Sequence, residues 1–203
     1  MGWRTDRRRG APEGVGSNDL ISPKIVRWDH VCIAVESLER PIKMFRDVFG
    51  AQFIVGGDNH QTGVRSMVFK MPMSTKIEFL MPLRDDSYLM KFLNKNGEGF
   101  HHATVFVDNI VQSIADLGEA GFELVDQDLS DPHWKEVFLR PKTTFGSLIQ
   151  MVESDLNWLE PHPVCTPEAT MRGEWRWWGA QTWHISALPD DYVDEPSTKF
   201  KKL

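Results

Sequence analysis

Four polar residues stand inside otherwise apolar, strand-like runs of this chain. His30 lies in "KIVRWDHVCIAV", Glu78 in "TKIEFLMPL", His102 in "GFHHATVFV" and Gln150 in "SLIQMVE". His102 follows His30 by 72 residues, and Gln150 follows Glu78 by the same 72. Side chains alternate faces along a strand. Glu78 therefore shares a face with Leu80, and Gln150 with Leu148 and Val152. A polar group buried without a partner costs ~1–3 kcal/mol, so each of the four needs a hydrogen bond or an ion. Two imidazoles, one carboxylate and one amide oxygen make a sound ligand set for a divalent metal of the Mn, Fe, Co, Ni or Zn group. With no cysteine among the ligands and water in any open position, the chemistry expected of such a site is catalytic.

The elements that must position these residues repeat. A strand beginning at Lys24 leads to a helix over "LERPIKMFRDVF", with Ser37 as its cap and Gly50 as its stop. Leu38, Ile42, Phe45 and Phe49 fall on one face of that helix. The strands "AQFIV", "VRSMVFKM" and "TKIEFLMPL" follow, and the helix "DSYLMKFLNKNG" closes the half. The order then restarts with "GFHHATVFV". Next come a helix over "NIVQSIADLGEA", capped by Asp108 and ended at Gly121, and the strands "FELVD", "KEVFLRPK" and "SLIQMVE". Leu38 and Ile110, like Ile42 and Ile114, keep the offset of 72 on the two helices. The order βαβββ occurs twice, which predicts an internal repeat. The expected fold class is α+β, with two paired βαβββ modules forming a half-open, barrel-like mixed sheet and an extended C-terminal segment. The expected divisions are a disordered segment 1–24, a first module with its connecting helix at 25–98, a second module at 99–154 and an extension at 155–203. If the halves pair about a pseudo-twofold axis, the four polar residues converge.

Composition narrows the partners. The formal charge of −6 argues against nucleic acid or an anionic membrane as the main partner. The local basic run "RTDRRRG" reads as a solvated tail. No apolar run reaches the roughly 18 residues of a membrane span, and no apolar stretch follows the N-terminal arginines as a secretory signal would require. Cys32 and Cys165 are too few for a disulfide framework. A homodimer in the reducing cytosol acting on a small-molecule substrate is the expectation, and the terminal "KKL" carries little weight as a peroxisomal address. Among the other histidines, His101 is expected on the face opposite His102. His133 in "DPHWKE" has a claim as an acid–base or substrate-contacting group.

The stretches "DHVCIAVESLERPIKMFRDVFGAQ", "TKIEFLMPLRDDSYLMKFLNKNGEGFHHATVFVDNI" and "VFLRPKTTFGSLIQMVE" resemble the vicinal oxygen chelate superfamily, which includes glyoxalases, extradiol dioxygenases and bleomycin resistance proteins. Its methylmalonyl-CoA epimerase branch is the most similar, over about residues 26–153. The resemblance implies metal ligands at His30, Glu78, His102 and Gln150. It also implies two glutamate bases, and the positions that would hold them are Gln150 and Ser66, here in "GVRS". Neither an amide nor a hydroxyl abstracts a C–H proton unaided at neutral pH. Glu78 is left as ligand and sole expected base, with Ser66 and His133 as substrate contacts.

The expected activity is a divalent-metal-dependent isomerase, epimerase or lyase that stabilises an enolate-like intermediate of a small carbonyl or hydroxy-acid substrate. Two alternatives are an Fe(II)-dependent dioxygenase built on two histidines and a carboxylate, and a non-catalytic ligand-binding protein. Beyond residue 154, five prolines exclude long helices. The tryptophans of "GEWRWWGAQTWHI" are expected to pack over an apolar face, form a partner contact or make a lid.

Overall fold

The computed structural model describes residues 25–156 and 158–196. The segment "RTDRRRG", the rest of residues 1–24 and the terminal "KKL" lie outside the described residues. Among the described residues, one ten-stranded mixed sheet organises the fold. Its strands are β1 (Ile25–Ala34), β2 (Gln52–Asn59), β3 (Val64–Lys70), β4 (Lys76–Pro82), β5 (Gly99–Val107), β6 (Leu124–Asp131), β7 (Trp134–Leu139), β8 (Leu148–Glu153), β9 (Trp175–Trp178) and β10 (Gln181–His184). Their order across the sheet is β10-β9-β2-β3-β4-β1-β5-β8-β7-β6. The sheet is open, with β10 and β6 at its edges, and the few helices pack on it.

The repeat is visible in the register. Outward from the β1–β5 seam, β4, β3 and β2 on one side mirror β8, β7 and β6 on the other. β1 and β5 are antiparallel, whereas β1–β4 and β5–β8 are parallel. Cys32 faces Glu78 in the first parallel pair, and Thr104 faces Gln150 in the second. Adding 72 to the first pair of numbers gives the second, so the two halves are built in one register. The helices obey the same rule. Leu38, Ile42 and Phe45 pack with Ile77 and Phe79, and Ile110 and Ile114 pack with Ile149 and Met151.

Four local features differ from the expectations. The first helix starts at α1 (Glu39–Pro41) and widens to five-residue hydrogen bonding over Ile42–Val48, with the Phe49 N–H donating to the Met44 carbonyl. Leu38 occupies its cap position, although the Ser37 hydroxyl still accepts from the Glu39 N–H. Phe49 is 58% exposed, so it leaves the helix's buried face. The helix α3 (Ile110–Glu119) is capped by Asn109, not Asp108, because the Asn109 side chain reaches the Gln112 N–H. The remaining helices, α2 (Tyr88–Asn96) and α4 (Pro167–Met171), are short. Cys32 and Cys165 are both free and buried.

The C-terminal segment extends the sheet itself. β9 lies parallel to β2, pairing Arg176 with Asp58. Gly56 and Gly57 allow this approach: a Cβ at Gly56 would sit 3.0 Å from Thr170 in the C-terminal segment, besides 2.7 Å from the Ser66 carbonyl oxygen of β3, and one at Gly57 would sit 3.3 Å from Trp177. Asp58, 3% exposed, fastens the join. It receives the Arg65 guanidinium at 2.5 and 2.9 Å and Arg176 Nη1 at 3.3 Å, while Arg65 also donates to the Met171 carbonyl. Removing one partner of a buried pair leaves the other charge uncompensated, which costs roughly 3–5 kcal/mol. Asp58→Ala is therefore expected to destabilise the chain by about that amount in urea denaturation. Limited proteolysis is expected to cut within residues 158–196 before the β1–β8 body. Unchanged stability and an unchanged digestion pattern would refute the fastening role.

Candidate metal and substrate site

The site straddles the central seam. β1 supplies His30, β4 supplies Glu78, β5 supplies His102 and Thr104, and β8 supplies Gln150. All but Thr104 line a cavity of about 660 Å³. One ligand atom from each of His30, Glu78 and His102 lies within 4.8 Å of the others. His30 Nε2 stands 3.4 Å from the Glu78 carboxylate, and the two imidazoles meet edge to face at 6.0 Å between centroids.

Strict alternation along β1 would separate Asp29 from His30. A bulge at Asp29 breaks the alternation: Trp28 pairs with Val105 and His30 with the next residue, Thr104. Asp29 and His30 are consequently both buried. Asp29 Oδ2 lies 2.8 Å from His30 Nδ1 and 2.9 Å from Lys76 Nζ, and Oδ1 receives Arg27 Nε at 2.8 Å. Burial alone would raise the Asp29 pKa. The hydrogen bond and charge of His30, with Lys76, outweigh it and hold the carboxyl at about 2. Ionised, Asp29 can only accept, so His30 Nδ1 carries the donated proton, and Nε2 faces Thr104 Oγ1 at 3.0 Å and Glu78 Oε2 at 3.4 Å. This is the carboxylate–histidine pairing that orients a metal-binding imidazole. Burial likewise opposes charge on His30, yet the Asp29 and Glu78 bonds and charges prevail and raise its pKa to about 9. Two carboxylates thus favour a positive charge at this ring, a field that a cation on Nε2 would also satisfy.

A second bulge falls at His101, where Cys32 pairs with His102 and Ile33 with Phe100. His101 is therefore not turned to the opposite face. It is buried, and its Nδ1 lies 2.8 Å from His102 Nδ1. Desolvation lowers His101 to about 4 and pushes His102 well below the ordinary histidine range, so both rings are neutral. The His101 contact occupies His102 Nδ1, and the buried His102 Nε2 has no protein partner among the described residues. A neutral imidazole with an orphaned, buried nitrogen facing a second imidazole and a carboxylate suits a divalent metal. Cys32, His101 and His102 form a second cluster of donors. Its chemistry is poorer: burial, with the Glu78 charge beside it, raises the Cys32 pKa and keeps the thiol protonated.

Gln150 is held at both ends of its amide. Its Oε1 accepts from the Thr104 hydroxyl at 2.6 Å, and its Nε2 donates to Glu136 Oε2 at 2.6 Å. A role as fourth ligand would use the second lone pair of Oε1. Glu136, on β7, is the carboxylate that the sequence reading missed. It lines the cavity and also accepts from Trp134 Nε1 at 2.9 Å. Burial raises its pKa, partly opposed by the Trp134 and Gln150 bonds. The available signal was its alternation with Phe138, which faces Gln150 across β7–β8. Ser66 lines the cavity and accepts from Trp177 Nε1 at 2.9 Å. His133 is not among the lining residues; it is exposed, 3.0 Å from Asp155. Its neighbour Trp134 takes the place in the cavity wall instead. Trp158, Trp177 and Trp178 of the C-terminal segment complete that wall.

Two substitutions test the assembly. His102→Ala is expected to abolish stoichiometric binding of divalent metal, measured by elemental analysis after chelation and refilling. Asp29→Asn is expected to weaken binding about 10–100-fold, because the His30 ring loses its orientation. Wild-type protein that takes up no divalent ion would refute the ligand set.

Known proteins share the sequence and fold of the two repeats. The profile of the glyoxalase/bleomycin resistance protein/dioxygenase superfamily matches residues 29–138. Mitochondrial methylmalonyl-CoA epimerase of Mus musculus is 38% identical over 134 residues, which is 64% of this chain and 75% of the relative. The ethylmalonyl-CoA/methylmalonyl-CoA epimerase of Cereibacter sphaeroides is 35% identical over 131 residues, covering 63% of this chain and 97% of that one. The crystal structure of methylmalonyl-CoA epimerase from Mycobacterium tuberculosis superposes with a TM-score of 0.59 at 26% identity, over 68% of this chain and 95% of that chain. In repeat, register and sequence, the chain belongs to the glyoxalase/bleomycin resistance protein/dioxygenase superfamily, the vicinal oxygen chelate proteins.

Proposed function

We propose that the protein is a divalent-metal-dependent isomerase or epimerase acting on a small carbonyl or hydroxy-acid substrate. The observation that carries this reading is the meeting of His30, Glu78 and the orphaned His102 nitrogen in a cavity that Glu136 also lines. The relatives named as epimerases support the reaction type. When bound, the ion supplies a Lewis acid for the charge that develops on a substrate oxygen.

The chain's own residues handle the proton. Glu78 is both a metal-binding group and a proton acceptor at the substrate carbon. Glu136 stands across the β1–β5 seam from it, two strands beyond β5, with Oε2 fixed by the Trp134 and Gln150 donors. An epimerisation needs proton removal on one face of the carbon and delivery on the other. One carboxylate on each side of the seam provides for both, so the two-base reaction does not depend on a glutamate at residue 150 or 66. Gln150 acts as a positioning residue for Glu136. Ser66 shapes the cavity through its bond to Trp177, and the indole wall keeps bulk water from the reacting carbon.

The test is deuterium incorporation from D₂O into a panel of 2-substituted carbonyl and hydroxy acids by metal-refilled protein. Glu78→Gln is expected to reduce incorporation by about 10²–10⁴-fold. Glu136→Gln is expected to keep the metal and lose inversion of configuration. Turnover by Glu78→Gln at the wild-type rate would remove the proposal. Consumption of O₂ with Fe(II) would replace it with the dioxygenase reading, for which the two-histidine, one-carboxylate set is also suited.

A further inference from the structure

We propose that the outer part of the cavity binds an organic cation, an amine or quaternary ammonium group carried by the substrate, rather than an acyl-CoA. This rests on the function proposed above only for the substrate's other end, which reaches the metal-binding floor. The two ends of the cavity differ in charge. At the metal-binding end, Asp29 holds His30 and Lys76, and His30 also faces Glu78.

The outer wall has aromatic faces and acidic groups. Trp158 and Trp177 stand edge to face at 5.4 Å between centroids, with Trp134 and Trp178 lining the same space. Asp191 accepts from Trp178 Nε1 at 3.3 Å. An indole N–H orients a carboxylate without neutralising it. Asp131 also lines the wall, with Oδ2 2.8 Å from where a Cβ at Gly179 would lie, so only a glycine lets the β9–β10 turn close over it. Among the described residues, neither Asp131 nor Asp191 is in an ion pair.

Aromatic faces attract a cation through their quadrupoles, and nearby carboxylates strengthen that attraction. The same wall repels an anion. A CoA thioester carries phosphates, yet among the described residues the cavity lining contains no arginine, and the one lysine there is Lys76, paired with Asp29. Most of the indole wall comes from β9 and the chain leading to it. The segment outside the two repeats therefore selects the ligand.

The experiment titrates the full chain with four probes, followed by tryptophan fluorescence and calorimetry: benzylammonium, benzyl alcohol, benzoate and coenzyme A. The ammonium is expected to bind about tenfold tighter than the isosteric neutral alcohol, and benzoate and coenzyme A more weakly than either. Asp191→Asn and Trp178→Ala are each expected to weaken the ammonium about three- to tenfold. Asp191→Asn should leave benzyl alcohol unchanged, and both variants should keep the wild-type melting temperature. Benzoate or coenzyme A binding as tightly as the ammonium, or no probe binding at all, would overturn the proposal. Titrations before and after chelation separate the two readings. Ammonium binding that survives metal removal stands by itself, and failure to take up metal counts only against the function proposed for the floor.

Discussion

The antiparallel pairing of β1 with β5 is the constraint on which the site depends. It brings the equivalent strands of two repeats side by side, so whatever one half offers is met by its counterpart from the other. Cys32 lies opposite His102 and His30 opposite Thr104, and the flanking parallel strands bring Glu78 and Gln150 to the same face. A slip of one residue in this pairing would turn a histidine away from the cavity. The apolar packing of both helix faces, through Phe79 on one side and Met151 on the other, resists such a slip.

Two bulges refine what the seam provides. Without the extra residue at Asp29, its carboxylate would be carried to the other face, and His30 would lose the acceptor that fixes its proton. Without the one at His101, His102 would lose the ring that occupies Nδ1. Each bulge places two consecutive polar residues in one buried neighbourhood, at positions where simple alternation permits one. The orienting groups are thus neighbours in sequence of the groups they orient, which makes the geometry short-range and stiff.

This explains how far the sequence could be read. The offset of 72, the strands of both modules, the core faces of the helices and the four-residue constellation all follow from periodicity, and periodicity is a local property. Asp29 and His101 were missed as orienting groups because a bulge is a break in that periodicity, with no glycine or proline to announce it. Glu136 was missed because its importance lies in a neighbour on the adjacent strand, and cross-strand register is not written in a single run of residues. His133 was expected as an acid–base or substrate-contacting group, whereas its neighbour Trp134 lines the cavity, a shift of one residue across a turn. The placement of "GEWRWWGAQTWHI" beside β2 depends on Gly56, Gly57 and Asp58, about 120 residues earlier, and no pattern within either stretch reveals the other.

The Gly56–Gly57 pair has a consequence for how this protein can change over evolutionary time. The proposed metal-binding floor is encoded in the repeats, whereas most of the indole wall is encoded in an appended segment admitted by two residues that lack side chains. A side chain at Gly57 would press on Trp177 and the Trp175 backbone, and so on the wall, while the four polar residues sit on the central strands away from it. On the proposed reading, reaction chemistry and ligand choice are therefore separable traits in this molecule, open to independent selection, with a narrow hinge of sequence between them.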